Sequence, residues 1–398
     1  MKVTRLLLIL FGCTLLTSLF SLTSSFSGSA GSGSSSALGN GPEPANSSWY
    51  FAVSGDSRDC GDLIMPKIAN SVAVKRKQMP LKFYWHLGDF RALYRIDCDM
   101  AKRMDPPKKC ALESSMNELN PTDEYLKAAW PDFISNEVKP FELAGIPIYL
   151  GIGNHETIGR KPEDFRSTFK KWLTLPAITS QRKKDRKKQI LSEDGGTYFH
   201  FVMKGADFIY LDNANAQVGF SNEQLNWLAL ILKADASNNS VKTIIVGMHA
   251  ALPGSVSSNH AMDESCPATC SGLKAYALLE QAQNLAGSKR KNVYVLASHS
   301  HFFEENIYNT PQHQGHVLPG WIIGTAGAEQ YKPTIRYGYM LVEIKSDGTV
   351  GTSFVDVDRN SPPTISGDAG EKLTNYCFQL NKKPPISQAA QNCHCNAP

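Results

Sequence analysis

Short apolar runs recur along the chain at 49–53, 83–87, 146–150, 243–248 and 293–297, each ended abruptly by glycine and polar residues. Continuous apolar stretches of this length, bounded by turn residues, predict strands buried on both faces. Between them the spacing turns helical. Residues 124–143 carry Tyr125, Leu126, Ala129, Phe133 and Ile134 at helical intervals, with Pro131 and Pro140 as breakers. In 162–173, Pro162 suits a first helical position, and Phe165, Phe169, Trp172 and Leu173 share a face. Ser221-Asn222-Glu223-Gln224 reads as a capping box opening a helix through Leu225, Leu228 and Leu232. Strands alternating with helices predict an α/β core. Two further pairs, 197–203 with 207–211 and 339–344 with 352–357, look antiparallel, so the sheets should be mixed.

Composition agrees with a sizeable core. Of 398 residues 42% are apolar and 20% charged, enough for one large domain or two ordinary ones. A net charge of +4 points neither to a nucleic-acid binder nor to an enzyme for acidic substrates, and no nucleic-acid-binding module is visible. The basic run at 182–188 reads as a solvated loop; a docking patch for an anionic substrate or membrane surface is the other reading.

Residues 1–30 read as a signal peptide: Lys2 and Arg5 precede an apolar stretch, and Gly28-Ser29-Ala30 offers small residues for cleavage. Its removal takes two basic residues and lowers the charge to +2. The apolar stretch is short for a spanning helix, so no stable membrane span is expected afterwards. An uncleaved leader, or lipid attachment at Cys13, would instead tether the chain. Residues 31–48 form a Gly/Ser-rich linker, 49–360 the domain proper and 361–398 a cysteine-containing tail. With Cys13 set aside, Cys60, Cys98, Cys110, Cys266, Cys270, Cys377, Cys393 and Cys395 make an even set, which predicts disulfides and a secreted or periplasmic monomer. Cys98 with Cys110 and Cys266 with Cys270 are the simplest local pairs, but spacing leaves the connectivity open.

The strand ends carry the chemistry. In order they deliver Asp56, Asp89, Asn154 with His155, His249, and His299 with His301. In an α/β sheet ligands gather at the carboxyl ends of strands. A carboxylate can bridge two cations, while imidazoles and an amide oxygen complete their coordination. The His-x-His spacing turns both rings to one side if that segment is extended. Each residue alone is an ordinary turn or core feature; the ordered series is specific. The long segment 250–272 shapes a rim, where His260 reads as an exposed loop histidine, with substrate contact as the other reading.

In this order the blocks resemble the calcineurin-like metallophosphoesterase family, whose signature runs D-x-H, G-D-x-x-D, G-N-H-[DE], H and G-H-x-H. Gly153-Asn154-His155-Glu156 is the most specific match, and the resemblance spans about 49–357. It implies an α/β fold, a four-layer αββα sandwich with two mixed sheets, holding two metal ions of the Fe, Mn or Zn type. By position it implies that Asp89 bridges the metals, Asp56 and His301 complete the first, and Asn154, His249 and His299 hold the second. His155 is implied as the general acid, with Asn154 also near the substrate. The implied reaction is hydrolysis of a phosphomonoester or phosphodiester by in-line attack of a metal-bound hydroxide.

The pattern also departs from the family. Arg58 stands where the first-block histidine belongs, and a guanidinium cannot ligate a cation. It would weaken the first metal; its donors would either clamp a substrate phosphate or pair with Asp59 or Asp62. Ala92 replaces the trailing acid that orients the histidine. The purple acid phosphatase branch would place a tyrosine there, and Tyr94 lies two residues beyond, which disfavours that branch. Ser298 replaces the glycine before His299. This is a small-for-small change that alters little, but Arg58 and Ala92 keep open a second reading, a secreted non-catalytic or single-metal binding protein on the same scaffold.

Overall fold

The alternation of apolar runs and helical periods resolves into two sheets with helices outside them. The computed structural model describes residues 47–103, 121–215, 219–257, 260–262, 270–361 and 367–382. The expected leader, nearly all of the linker, and Cys13, Cys110, Cys266, Cys393 and Cys395 lie outside the described residues.

In chain order the strands are β1 (Trp49–Ser54), β2 (Leu81–His86), β3 (Ile148–Leu150), β4 (Phe199–Met203), β5 (Ala206–Leu211), β6 (Thr243–Met248), β7 (Asn292–Ala297), β8 (Phe303–Glu305), β9 (Gly320–Ile323), β10 (Gly338–Ile344) and β11 (Val350–Asp356). The helices are α1 (Gly61–Arg76), α2 (Cys98–Arg103), α3 (Asp123–Phe133), α4 (Lys139–Leu143), α5 (Pro162–Thr168), α6 (Lys170–Leu173), α7 (Pro176–Lys187), α8 (Asn222–Ala236), α9 (Ser271–Asn284) and α10 (Gly367–Asn375). One sheet orders its strands β11-β10-β1-β2-β3, the other β4-β5-β6-β7-β9-β8. β1, β2 and β3 run parallel, as do β5, β6, β7 and β9, while β10, β11, β4 and β8 pair antiparallel. Both sheets are therefore mixed, as the two hairpins predicted.

Aromatic side chains join the sheets face to face. Phe51 and Phe83 each meet Phe208 edge-on at 5.1 Å, and Tyr149 stacks on Phe201 at 4.2 Å. Such pairs contribute about 0.5–1.5 kcal/mol beyond the area they bury. On the outer face of the second sheet, Leu228 and Ile231 of α8 and Leu279 of α9 pack with Ile244, Val246 and Val295. Leu63, Ile64 and Ile68 of α1 and Phe133 of α3 join the core of the first sheet. The result is the expected four-layer αββα sandwich. No helix among the described residues is long and apolar enough to cross a membrane.

Some local readings change. The stretch with Pro131 and Pro140 does not stop at the first proline; α3 passes it and continues through a π turn, Ile134–Val138, into α4. Proline lacks an N–H, and a π turn absorbs the break in the hydrogen-bond ladder. The basic run expected as a loop lies mostly within α7, because Ile178, Gln181, Arg182 and Asp185 give that helix an inward face. Arg182 donates to the carbonyls of Leu173 at 3.0 Å and Gly196 at 3.2 Å. A disulfide joins Cys60, just before α1, to Cys377, across 317 residues. Cys98 and Cys270 are disulfide-bonded as well.

Two buried charges tie the layers. His200 of β4 donates to Asp207 of β5 and to Asp185 of α7, each at 2.8 Å. Burial opposes a charge on its ring, but the two carboxylates prevail and raise it from 6.5 to about 10. Arg91, fully buried, lies 2.6 Å from Asp62 of α1, 3.1 Å from Asp99 of α2 and 3.0 Å from Glu137 of the π turn, and also pairs with Asp132 of α3. Asp62, Asp99 and Glu137 cluster closely enough to suggest a cation site, but the guanidinium is already the cation among them.

Removing one partner of a buried ion pair typically costs about 3–5 kcal/mol. Urea unfolding of Arg91→Leu should show a loss on that scale; a change within about 1 kcal/mol would contradict the cage. For His200 the folded value lies above the unfolded one, so its contribution is complete below pH 6.5 and lost as pH rises through about 10. The stability gap between the native chain and His200→Gln should therefore shrink from pH 6 to pH 10. A gap that stays constant over that range would refute it.

Candidate metal centre

The carboxyl ends of β1, β2, β3, β6 and β7 open onto one rim, and the backbone there is pinned before any side chain acts. Asp56 N donates to Gly88 O and Ser57 N to Asp89 O, both at 3.0 Å. Glu156 makes the decisive clamp. Its carboxylate accepts from Asp89 N at 2.9 Å, Phe90 N at 2.8 Å and Gly153 N at 2.8 Å, drawing the ends of β2 and β3 together. That approach requires glycine. A Cβ on Gly153 would lie 2.4 Å from Asp89 N, and one on Gly88, itself at φ +100, would lie 2.5 Å from Gly153 N. Asp56, Asp89 and His299 all take left-handed backbone, at φ 60, 58 and 63. Non-glycine residues rarely adopt this conformation unless their surroundings enforce it.

The pinned loops bring every expected metal ligand together. Asp56 Oδ2 accepts from His299 N at 2.8 Å, which leaves Oδ1 facing His301 Nε2 at 3.3 Å. Asp89 Oδ1 accepts from His155 N at 3.0 Å and lies 3.2 Å from His249 Nε2. His249 Nε2 also lies 2.9 Å from Asn154 Oδ1 and 3.0 Å from His299 Nδ1. The other nitrogen of His249 faces the carbonyl of Leu87 at 3.0 Å and the hydroxyl of Ser298 at 3.1 Å. Donation from Nδ1 turns the Nε2 lone pair into the centre. His301 Nδ1 likewise donates to Glu329 O at 2.8 Å. Ser298, expected as a neutral replacement for glycine, thus helps orient a ligand.

These residues fit metal ions. Asp56 Oδ1 and Asp89 Oδ2 are buried with no hydrogen-bond partner, a costly state that a cation would relieve. Asp89, His249 and His299 form one compact group and Asp56, Asp89 and His301 another, with Asp89 common to both. Oxygen and imidazole donors suit Fe, Mn or Zn. The electrostatics agree. Burial opposes charge on His249, yet Asp89 and then Asp56 lift its ring to about 9, so the pocket draws a proton where a metal would sit.

The neighbours of His155 answer how it is oriented without an acidic partner. Its Nδ1 is hydrogen-bonded to the carbonyl of Ala92, the residue in the acid's place, and Nε2 points to Asp89 Oδ2 at 3.4 Å. The Ala92 peptide is itself fixed, because its N–H donates to Asp97 at 3.1 Å. Burial holds the His155 imidazole down to about 4, against the pull of Asp89. Tyr94 packs against this ring at 5.1 Å, and its hydroxyl accepts from Arg58 Nη1 at 3.0 Å. Arg58 pairs neither with Asp59 nor with Asp62 as one reading had it; its closest carboxylate is Glu329, at 3.7 Å. Arg58 Nη2 lies 3.2 Å from His301 Nε2. His260 is half-buried, its ring 5.2 Å from that of His299 and 5.0 Å from that of Tyr331, so the exposed-loop reading gives way. The sequence reading missed Glu329 and the Glu156 clamp. A Glu in G-N-H-[DE] was the available signal for the clamp; Glu329 had none.

No family model matches the chain, and no curated protein does. Among solved structures it is similar to GAP50, the anchor in the inner membrane complex of Plasmodium, at 13% identity, with a TM-score of 0.45 over 86% of this chain and 98% of that one. It is similar to a dimetal phosphatase from Danio rerio at 12% identity, TM-score 0.45, over 78% of this chain and 99% of that one. A purple acid phosphatase, PPD1 from yellow lupin, matches at 12% identity, TM-score 0.46, over 87% of this chain and 58% of its own. Two mixed sheets packed face to face, with carboxylates and imidazoles gathered at their strand ends, are the arrangement that the resemblance to the calcineurin-like phosphoesterases implied.

Proposed function

We propose that the protein is an exported metal-dependent phosphoesterase acting on a phosphomonoester or phosphodiester. The observation that carries this reading is the convergence on Asp89 of His249, His299, Asn154, Asp56 and His301, with two buried carboxylate oxygens left without partners. Asp89 would bridge the two cation positions, Asp56 and His301 serving one, Asn154, His249 and His299 the other. Metal ions there supply positive charge for the phosphoryl oxygens and acidify water.

The chain's own groups do the rest. Asn154 and Arg58 border the space for the phosphoryl group, where the guanidinium can donate to its oxygens. His155 delivers a proton from Nε2 to the leaving oxygen. Its Nδ1–H stays committed to Ala92 O, so the ring cannot rotate away. Burial keeps the empty imidazole neutral; the negative charge of bound phosphate favours the imidazolium and loads the proton where it is needed. The Cys60–Cys377 disulfide fits an oxidising compartment and so supports export.

The second reading, a non-catalytic scaffold, draws on Arg58 beside His301. Activity separates the two. The full chain supplied with Mn(II) or Zn(II) should hydrolyse p-nitrophenyl phosphate, and Asp89→Asn should abolish this together with metal retention. No turnover on any phosphoester by metal-loaded protein would leave only the scaffold reading. His155→Ala should lower kcat by about 10²–10⁴-fold for alkyl phosphates, the range for a lost general acid, and by much less for p-nitrophenyl phosphate. Equal losses on both substrates would remove His155 from that role.

A further inference from the structure

Whether both cation positions are equivalent turns on a single lone pair. His301 Nδ1 donates to Glu329 O at 2.8 Å, so only Nε2 can ligate, and Arg58 Nη2 already lies 3.2 Å from that atom. A nitrogen lone pair accepts one N–H or one metal, not both. Arg58 is not held there by His301 alone. Its Nη1 donates to Tyr94 at 3.0 Å, Glu329 lies 3.7 Å away, and the side chain is almost fully buried. Glu329 is in turn fixed by Arg95, at 2.9 Å.

The backbone that carries Arg58 is equally confined. Ser57 N donates to Asp89 O at 3.0 Å, Asp59 N donates to Asp97 at 3.0 Å, and Cys60 is covalently tied to Cys377. Withdrawing the guanidinium would strip a buried cation of its partners. Among the described residues, no guanidinium donates to the ligand atoms of the other position. Its nitrogen and oxygen atoms face one another, and the nitrogen of His249 away from the centre is already committed to Leu87 O and Ser298 Oγ.

We infer that the centre is asymmetric: it binds one metal ion tightly, at Asp89, Asn154, His249 and His299, while the Arg58 guanidinium occupies the approach to Asp56 and His301 as a built-in cation. This rests on the metal-dependent reading but concerns only how many ions stay bound. At the first position the guanidinium takes the His301 lone pair and presents donors to a phosphoryl oxygen. It excludes a second tightly held metal by charge and by possession of the ligand lone pair.

Metal stoichiometry tests this without reference to turnover. Chelator-stripped full-length chain is titrated with Zn(II), desalted, and its metal-to-protein ratio read by elemental mass spectrometry. The native chain should keep one equivalent, with a second bound weaker by at least about 10–100-fold, the scale on which neighbouring partners tune metal affinity. Arg58→His should keep two. Two retained equivalents in the native chain, or one in a folded Arg58→His, would overturn the inference. Should that variant fail to fold, Arg58→Gln, which frees His301 without adding an imidazole, should still tighten the second equivalent; an unchanged second affinity overturns it equally. One tight equivalent with no hydrolysis would sink the enzymatic reading and leave this one standing. Two with hydrolysis would do the reverse.

Discussion

The centre depends on a carboxylate that faces the backbone. Glu156 accepts from the N–H groups of Asp89, Phe90 and Gly153, and so holds the ends of two parallel strands closer than side chains would allow. Three buried donors are thereby satisfied at once, where each left unpaired would cost about 1–3 kcal/mol. The clamp explains why Asp89 tolerates left-handed backbone at φ 58: its peptide is held from both sides, by Glu156 on its N–H and Ser57 on its carbonyl. Only in that conformation does its carboxylate reach His249 while His155 N caps it. Glycine at Gly88 and Gly153 is a consequence of the same closeness.

Outside the centre, three buried cations come with carboxylate partners. Arg91 has its cage of carboxylates, Arg95 bridges Asp59 and Glu329, and His200 lies between two aspartates. At the rim, Asp56 Oδ1 and Asp89 Oδ2 accept no hydrogen bond and face the imidazoles of His301 and His155. What sets these two oxygens apart is their place: they converge with the imidazoles of His249, His299 and His301, whereas the unpaired oxygens of Asp59 and Glu137 belong to carboxylates beside guanidinium groups, where Glu329 also lies. The same contrast separates the centre from the acidic group around Arg91. Both gather carboxylates, but one already contains its cation.

Much of this was legible in the sequence because strands buried on both faces write their ends sharply. An apolar run that stops at Gly-Asp or Gly-Asn-His places its polar residues on a rim, and parallel order puts those rims together. That logic brought the candidate ligands from β1, β2, β3, β6 and β7 to one rim. It could not locate what acts through the backbone. Ala92 holds the His155 ring with a carbonyl, a group every residue carries, so the missing acid gave no sign of this contact. The pairing of Cys60 with Cys377 joins residues that no local spacing relates. The basic run was misread for a related reason. Its charge masked a helical period in which only Arg182 and Asp185 turn inward, each with a partner in another element.

Arg58 shows how one substitution can move a site's chemistry without disturbing its frame. A guanidinium and a metal ion both carry positive charge to a phosphoryl group, but they differ in what they accept. A metal takes lone pairs from carboxylates and imidazoles and acidifies water; a guanidinium only donates, and its charge never titrates in this range. Placing one beside His301 makes a candidate ligand nitrogen a hydrogen-bond acceptor. Tyr94 then acquires a reason for its position: it packs against His155 on one side and receives Arg58 on the other, so the proton donor and the anchored cation share a wall. If phosphate binds at the guanidinium and His155 protonates the leaving group, as proposed, one aromatic ring touches both groups.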